Sequence, residues 1–159
     1  MCNLCHSHND YLSEKPLTNA LRYGFKSIEV DILLSKDLLY VSHYWWTKRK
    51  NVFIENTYLD KLYEVYEENN GYIYENNDPL FLLVDIKTEA NKTYEILNNS
   101  LKKYKDMLSH VINDSLIQGA ITVILSGNKP TIEYLKKTND RYVFLDGRLI
   151  DLRKKILLK

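Results

Sequence analysis

The sequence predicts an α/β fold built on a mostly parallel sheet. Three observations carry that expectation. Apolar, β-branched runs of strand length recur along the chain. Segments of helical spacing or composition separate them, an alternation that implies crossover connections. No repeat, linker or break in composition divides the 159 residues, so one domain over 1–159 is expected.

Taken in order, Met1–Cys5 is the first strand, and Pro16 suits the first turn of a helix over 16–23 that Gly24 closes. "KSIEVDILL" (26–34) is the second strand, and "LLYVSH" (38–43) returns beside it as a hairpin. A helix over 57–68 runs into "YEENNGYIYENND" (66–78), a polar, turn-rich stretch read as a surface loop. "LFLLVDIKT" (80–88), "AITVILSG" (120–127) and "RYVFLDG" (141–147) are further strands, with helices over 89–108, 130–138 and 149–157. His110 is expected at the surface of a helix. The chain thus holds about five strand-helix units, where a closed barrel takes eight. Either the sheet is open or this is the first part of a longer polypeptide.

Charge and composition narrow the function classes. With 45% hydrophobic and 27% charged residues, the chain has the make-up of a globular protein able to bury a core. Twenty-two basic residues against twenty-one acidic leave a net charge of +1. That balance argues against nucleic acid as a partner, and a charged ligand must be met locally. No apolar run approaches the roughly 18 residues of a membrane helix and no signal segment precedes the first motif, so a soluble chain is expected. Cys2-Asn3-Leu4-Cys5-His6 fits the C-x-x-C-H pattern of c-type haem attachment. Haem attachment follows export, and a thiol-redox pair needs a following helix. Neither context is present, so Cys2 and Cys5 are expected as small apolar residues of a buried first strand.

The chemistry lies on strand faces. Side chains alternate along a strand, so Ser27, Glu29 and Asp31 share one face while Ile28, Val30 and Ile32 share the other. By the same rule Leu83, Asp85 and Lys87 share a face of the next long strand. Buried carboxylates cost several kcal/mol unless paired or bound to a cation, and a hard divalent cation with oxygen ligands is the expected compensation. His8 and His43 each end a strand, where sites in parallel α/β architectures lie. Taken alone, Glu29-x-Asp31 is as easily an inert, solvated strand face, and each histidine as easily structural. Their company weighs against that. Trp45 and Trp46, directly after His43, either shape a substrate pocket, touch lipid, or pack in the ordinary way.

These motifs carry a resemblance. "HND" after the first strand, "SIEVDI", "LYVSH" fourteen residues after Glu29, and "LLVDIKT" resemble the phospholipase-C-like phosphodiesterase superfamily. Its members include glycerophosphodiester phosphodiesterases and phosphatidylinositol-specific phospholipases C. From about Asn3 to Asp151 the chain most resembles the branch named for altered inheritance of mitochondria, and it looks like an N-terminal part. The resemblance implies a (β/α) TIM-type barrel, about five of its eight units present, with the site at the C-terminal strand ends. It implies a metal-dependent phosphoric diester hydrolase using Mg²⁺ or Ca²⁺. The substrate class is a glycerophosphodiester or phospholipid-type head group, and peripheral membrane contact is in keeping with it. Position by position, His8 and His43 match the two proton-exchanging histidines. Glu29 and Asp31 match the metal-binding pair, Asp85 the third acid, Asn9 a ligating Asn, and Lys87 a phosphate-holding lysine. His6 competes with His8; His8-Asn9 is the better match, which leaves His6 pointing away. The alternative is a truncated, non-catalytic barrel fragment serving as a cation- or phosphate-binding or interaction module.

Overall fold

The computed structural model describes residues 5–147. In chain order its strands are β1 (His6–Ser7), β2 (Ser27–Ser35), β3 (Leu38–Val41), β4 (Leu80–Ile86), β5 (His110–Ile112), β6 (Ser115–Ile117), β7 (Ile121–Gly127), β8 (Asp140–Arg141) and β9 (Phe144–Leu145). Its α-helices are α1 (Thr18–Arg22), α2 (Asp60–Glu68), α3 (Ala90–Leu101) and α4 (Ile132–Leu135).

The main sheet runs β1-β2-β4-β7-β9, all parallel neighbours, with β3 antiparallel on β2. Alternation on the three long strands divides its faces. Ile28, Val30 and Ile32, then Leu82, Val84 and Ile86, then Ile121, Val123 and Leu125 are fully buried in one apolar cluster with Leu97 and Leu101 of α3. Burying each such side chain stabilises the fold by about 1.5–3 kcal/mol, less what is already buried in the unfolded chain. The opposite face carries Ser27, Glu29, Leu83, Asp85, Ile124 and Ser126, which are only partly buried, and the fully buried Asp31.

Local chemistry sets the boundaries. The β2–β3 hairpin closes through Lys36 and Asp37 at φ 51° and 60°, the left-handed pair that a two-residue turn of this type demands. The Glu89 side chain accepts hydrogen bonds from the Asn91 and Lys92 backbone amides and so caps α3, which holds its pKa below the ordinary glutamate value. Thr131 caps α4 by accepting from the Tyr134 amide.

The fold agrees with the expected α/β class and its mainly parallel sheet, and the described residues form an open sheet of five parallel strands. Several expectations need correction. The first strand lies at His6–Ser7, and Cys5, just ahead of it, is half-buried and disulfide-bonded rather than a thiol inside a buried strand. The stretch 66–78 is not simply a surface loop: α2 continues to Glu68, Ile73 and Tyr74 are buried, and the Tyr74 hydroxyl donates to the Phe25 carbonyl. His110 lies on β5, in a small antiparallel sheet ordered β6-β5-β8, and not on a helix. Residues 1–4 of the strand expected over Met1–Cys5, Cys2 among them, and the helix expected over 149–157 lie outside the described residues. No helix among the described residues is long and apolar enough to cross a membrane.

Candidate active site

Parallel pairing of β2 with β4 sets Asp31 directly beside Asp85, with Glu29 two residues earlier on the same face. One oxygen from each of these three carboxylates lies within 4.8 Å of the others. Lys87 continues the pairing past β4, its amide donating to the Ile32 carbonyl at 3.0 Å. Its ammonium stands 3.1 Å from Asp85 Oδ2 and 3.4 Å from Asp31 Oδ1. Burial works to depress the Lys87 pKa, but the ion pairs with Asp85 and Asp31 outweigh it and hold the pKa above the ordinary lysine value.

Lys87 leaves the acids incompletely satisfied. Asp31 Oδ1 and Asp85 Oδ1 are shut off from solvent; the first has only its 3.4 Å ion pair with Lys87, and the second accepts no hydrogen bond. Such oxygens are costly to leave unpaired. Hard divalent cations such as Ca²⁺ and Mg²⁺ take carboxylate oxygens as ligands, the donor type gathered here. Three converging carboxylates, with two oxygens shielded from water and poorly compensated, fit a hard divalent cation.

Three histidines border the carboxylates. His43, just beyond β3, places Nδ1 2.5 Å from Asp31 Oδ2. His6 Nε2 and His8 Nε2 lie 3.3 Å and 3.5 Å from Glu29 Oε2. His6 does not point away, contrary to the expectation from its competition with His8. The strand comprises His6–Ser7 and the turn begins only at His8, so the two residues keep the shared face of positions two apart. His6 is also the better held: Ser27 Oγ lies 2.8 Å from its Nδ1, whereas the His8 side chain is 70% exposed. Both ring nitrogens of His6 are thus engaged, which fixes the orientation of the imidazole. Asn9 sits in the left-handed region at φ 50° and meets the acids through Tyr11, whose hydroxyl is 3.5 Å from Asn9 Oδ1.

Two contributors escaped the sequence reading. The Tyr11 hydroxyl donates to Asp31 Oδ2 at 2.8 Å, and burial, this hydrogen bond and the surrounding acids push its pKa well above the ordinary tyrosine value. Asp10 is buried and anchors the turn that carries His8 and Tyr11. Its carboxylate accepts from the Leu17 amide at 2.6 Å, the Tyr58 hydroxyl at 2.9 Å and the Ser7 hydroxyl at 2.8 Å. Both residues directly follow His8-Asn9 in the sequence; the turn they occupy has no periodicity to mark it. Trp45 and Trp46 remain 49% and 79% exposed and do not join the core.

The end of β7 shapes the Asp85 side of the cluster. Gly127 has φ +63°, and a methyl group there would fall 1.9 Å from Asp85 Oδ1 and 2.7 Å from the Ile86 carbonyl oxygen. Gly127→Ala is expected to destabilise by about 2 kcal/mol or more from backbone strain and overlap, a fall in Tm of about 4–8 °C. It should also weaken divalent-cation binding by displacing Asp85. Thermal denaturation and calorimetric titration check the two effects separately.

Comparison with known proteins agrees with this architecture. The sequence profile of the AIM6-like phosphodiesterase domain matches residues 1–146. Altered inheritance of mitochondria protein 6 of Saccharomyces cerevisiae is 30% identical over 182 aligned residues, covering 94% of this chain and 46% of that protein. The homologue from Arthroderma benhamiae is 28% identical over 169, covering 92% and 54%. The chain spans about half the length of the curated relatives it matches. Among solved structures, phosphatidylinositol-specific phospholipase C from Listeria monocytogenes superposes with a TM-score of 0.62 at 12% identity, over 92% of this chain and 58% of that one. At that identity the likeness speaks for the fold alone. With its profile match over nearly the whole length, the chain belongs to the AIM6-like phosphodiesterase domain family.

Proposed function

We propose that this domain is the catalytic part of a metal-dependent phosphoric diester hydrolase, acting on a glycerophosphodiester or phospholipid-type substrate by histidine acid–base catalysis. The observation that carries the reading is the charge of the cluster. Glu29, Asp31 and Asp85 bring three negative charges against one positive charge on Lys87. A phosphodiester is an anion, and a site with a net charge of about −2 repels it. One divalent cation on Glu29, Asp31 and Asp85 makes the site neutral, and Asn9 is the candidate for a further ligand. When bound, such an ion neutralises phosphate oxygens and lowers the pKa of an attacking hydroxyl.

The chain's own residues supply the rest. Asp31 engages His43 Nδ1 and leaves Nε2 to exchange a proton, the arrangement by which a carboxylate orients a catalytic imidazole. The histidines at Glu29 provide the second proton-exchanging group. One imidazole takes the proton of the oxygen that attacks phosphorus. The bond from phosphorus to the leaving oxygen breaks, and an imidazolium on the other side protonates that oxygen. Where the substrate has a hydroxyl beside its phosphate, that hydroxyl attacks first and a cyclic phosphodiester forms. Lys87, between Asp31 and Asp85, offers a positive charge to a phosphate oxygen.

The test is turnover of a chromogenic diester, bis(p-nitrophenyl) phosphate, by the intact polypeptide after chelation and again with Mg²⁺ or Ca²⁺ restored. Nitrophenolate release that disappears on chelation and returns with the cation is expected. Cation binding without turnover of any diester points to the non-catalytic binding module instead.

A further inference from the structure

The loop after His43 has no role in the proton chemistry, yet it is built with care. "HYWWTKRK" leaves β3 and turns back through a single helical turn at Trp45–Thr47. Beneath that turn, Ser42 Oγ lies 2.7 Å from Thr47 Oγ1, and both hydroxyls donate to the Tyr44 carbonyl at 3.0 Å. This polar base fixes a short loop whose aromatic rings are left outside. Tyr44 and Trp46 stack face to face with ring centroids 4.6 Å apart, and Trp46 is 79% exposed.

Charge on the loop is one-sided. Lys48, Arg49 and Lys50 follow the aromatic residues, and no acidic residue occurs between Asp37 and Glu55. The whole chain has a net charge of only +1, so this local excess stands out against a balanced background. The Lys48 ammonium lies 4.1 Å from the Tyr40 ring centroid and 5.6 Å from that of Trp45, which sets cation and rings side by side. A second loop adds an apolar residue nearby. Leu12 is 71% exposed, and it follows Tyr11, which binds the same Asp31 oxygen as His43. Both loops thus begin at a residue hydrogen-bonded to Asp31 and carry exposed apolar side chains directly after it.

Exposed Trp and Tyr beside Lys and Arg is the chemistry of a bilayer interface, where amphipathic rings sit at headgroup level and basic residues meet anionic lipid. We propose that Tyr44, Trp45 and Trp46, with Lys48, Arg49 and Lys50, dock the protein on an anionic lipid bilayer, with the carboxylate cluster facing the headgroups. The docking names the partner of the phosphodiesterase site and rests on that reading for its purpose; the binding itself needs no turnover.

The experiment is partition of the intact protein onto phosphatidylcholine vesicles with and without phosphatidylserine, at low and high salt. Binding is expected on the phosphatidylserine vesicles, with weakening by high salt. Trp46→Ala should weaken it roughly tenfold or more. The double substitution Arg49→Glu and Lys50→Glu should weaken it by about 25-fold or more, since each basic residue near an anionic leaflet contributes about fivefold. All three positions are exposed, and thermal denaturation of each variant confirms that the fold is kept. Equal binding to neutral and anionic vesicles, full binding by both variants, or no partition by the wild-type protein overturns the proposal. Turnover of a water-soluble diester, read on the same preparations, separates the two ideas. Vesicle binding without turnover removes the phosphodiesterase reading and leaves the docking, and turnover without vesicle binding does the reverse.

Discussion

His43→Ala is expected to lower kcat on a natural phosphodiester by about 10²–10⁴-fold while leaving divalent-cation affinity nearly unchanged. Its imidazole meets Asp31 through Nδ1 and is 38% exposed, so the free nitrogen is open to substrate. His6→Ala and His8→Ala are the companion measurements. His6 is fixed by Ser27 and Glu29, while His8 reaches Glu29 from an exposed position, so the variant with the larger loss of kcat identifies the second proton-exchanging group. A diester with a nitrophenolate leaving group needs little protonation. It should restore turnover in the variant that lacks the acid and not in the one that lacks the base.

The second large effect is expected from Asp31→Asn. Asp31 is buried and joins His43, Tyr11 and Lys87. An amide there cannot hold the same His43 tautomer, and loss of that orientation in a histidine–carboxylate pair costs about 10⁴ in kcat. It also removes one anionic oxygen donor, so cation affinity should fall together with kcat, unlike in His43→Ala. The double variant Asp31→Asn, His43→Ala should turn over no more than about tenfold more slowly than Asp31→Asn, because the two residues act as one unit. Steady-state kinetics with calorimetric titration of Mg²⁺ or Ca²⁺ gives every corner of the cycle.

How much of this was legible depended on periodicity. "KSIEVDILL" and "LFLLVDIKT" alternate, and alternation alone assigns Glu29 with Asp31, and Asp85 with Lys87, to one face of each strand. That Asp31 falls beside Asp85 is a matter of register, set by packing between strands and absent from either segment alone. His6 was misdirected because strand pairing extends through residues 6–7, past the expected end at Cys5, which brings the histidine pair into the same face. The hairpin of β5 and β6 was missed because its strands have three residues each, too few for alternation to show. Asn113 and Asp114, at φ 48° and 61°, were its one signal. In "YEENNGYIYENND" a polar composition hid two buried anchors, Ile73 and Tyr74. Tyr11 and Asp10 act through tertiary hydrogen bonds to residues 20 and 48 positions away, beyond the reach of any local pattern.

The most direct measurement is a ³¹P NMR time course of the intact polypeptide with a glycerophosphodiester and a lysophospholipid in the presence of Mg²⁺ or Ca²⁺. The account predicts that at least one diester resonance is replaced by a phosphomonoester or a cyclic phosphodiester. It also predicts that the resonances persist after chelation and with His43→Ala. Diester resonances unchanged by the wild-type protein with cation present, or consumed as fast by His43→Ala as by wild type, would contradict it.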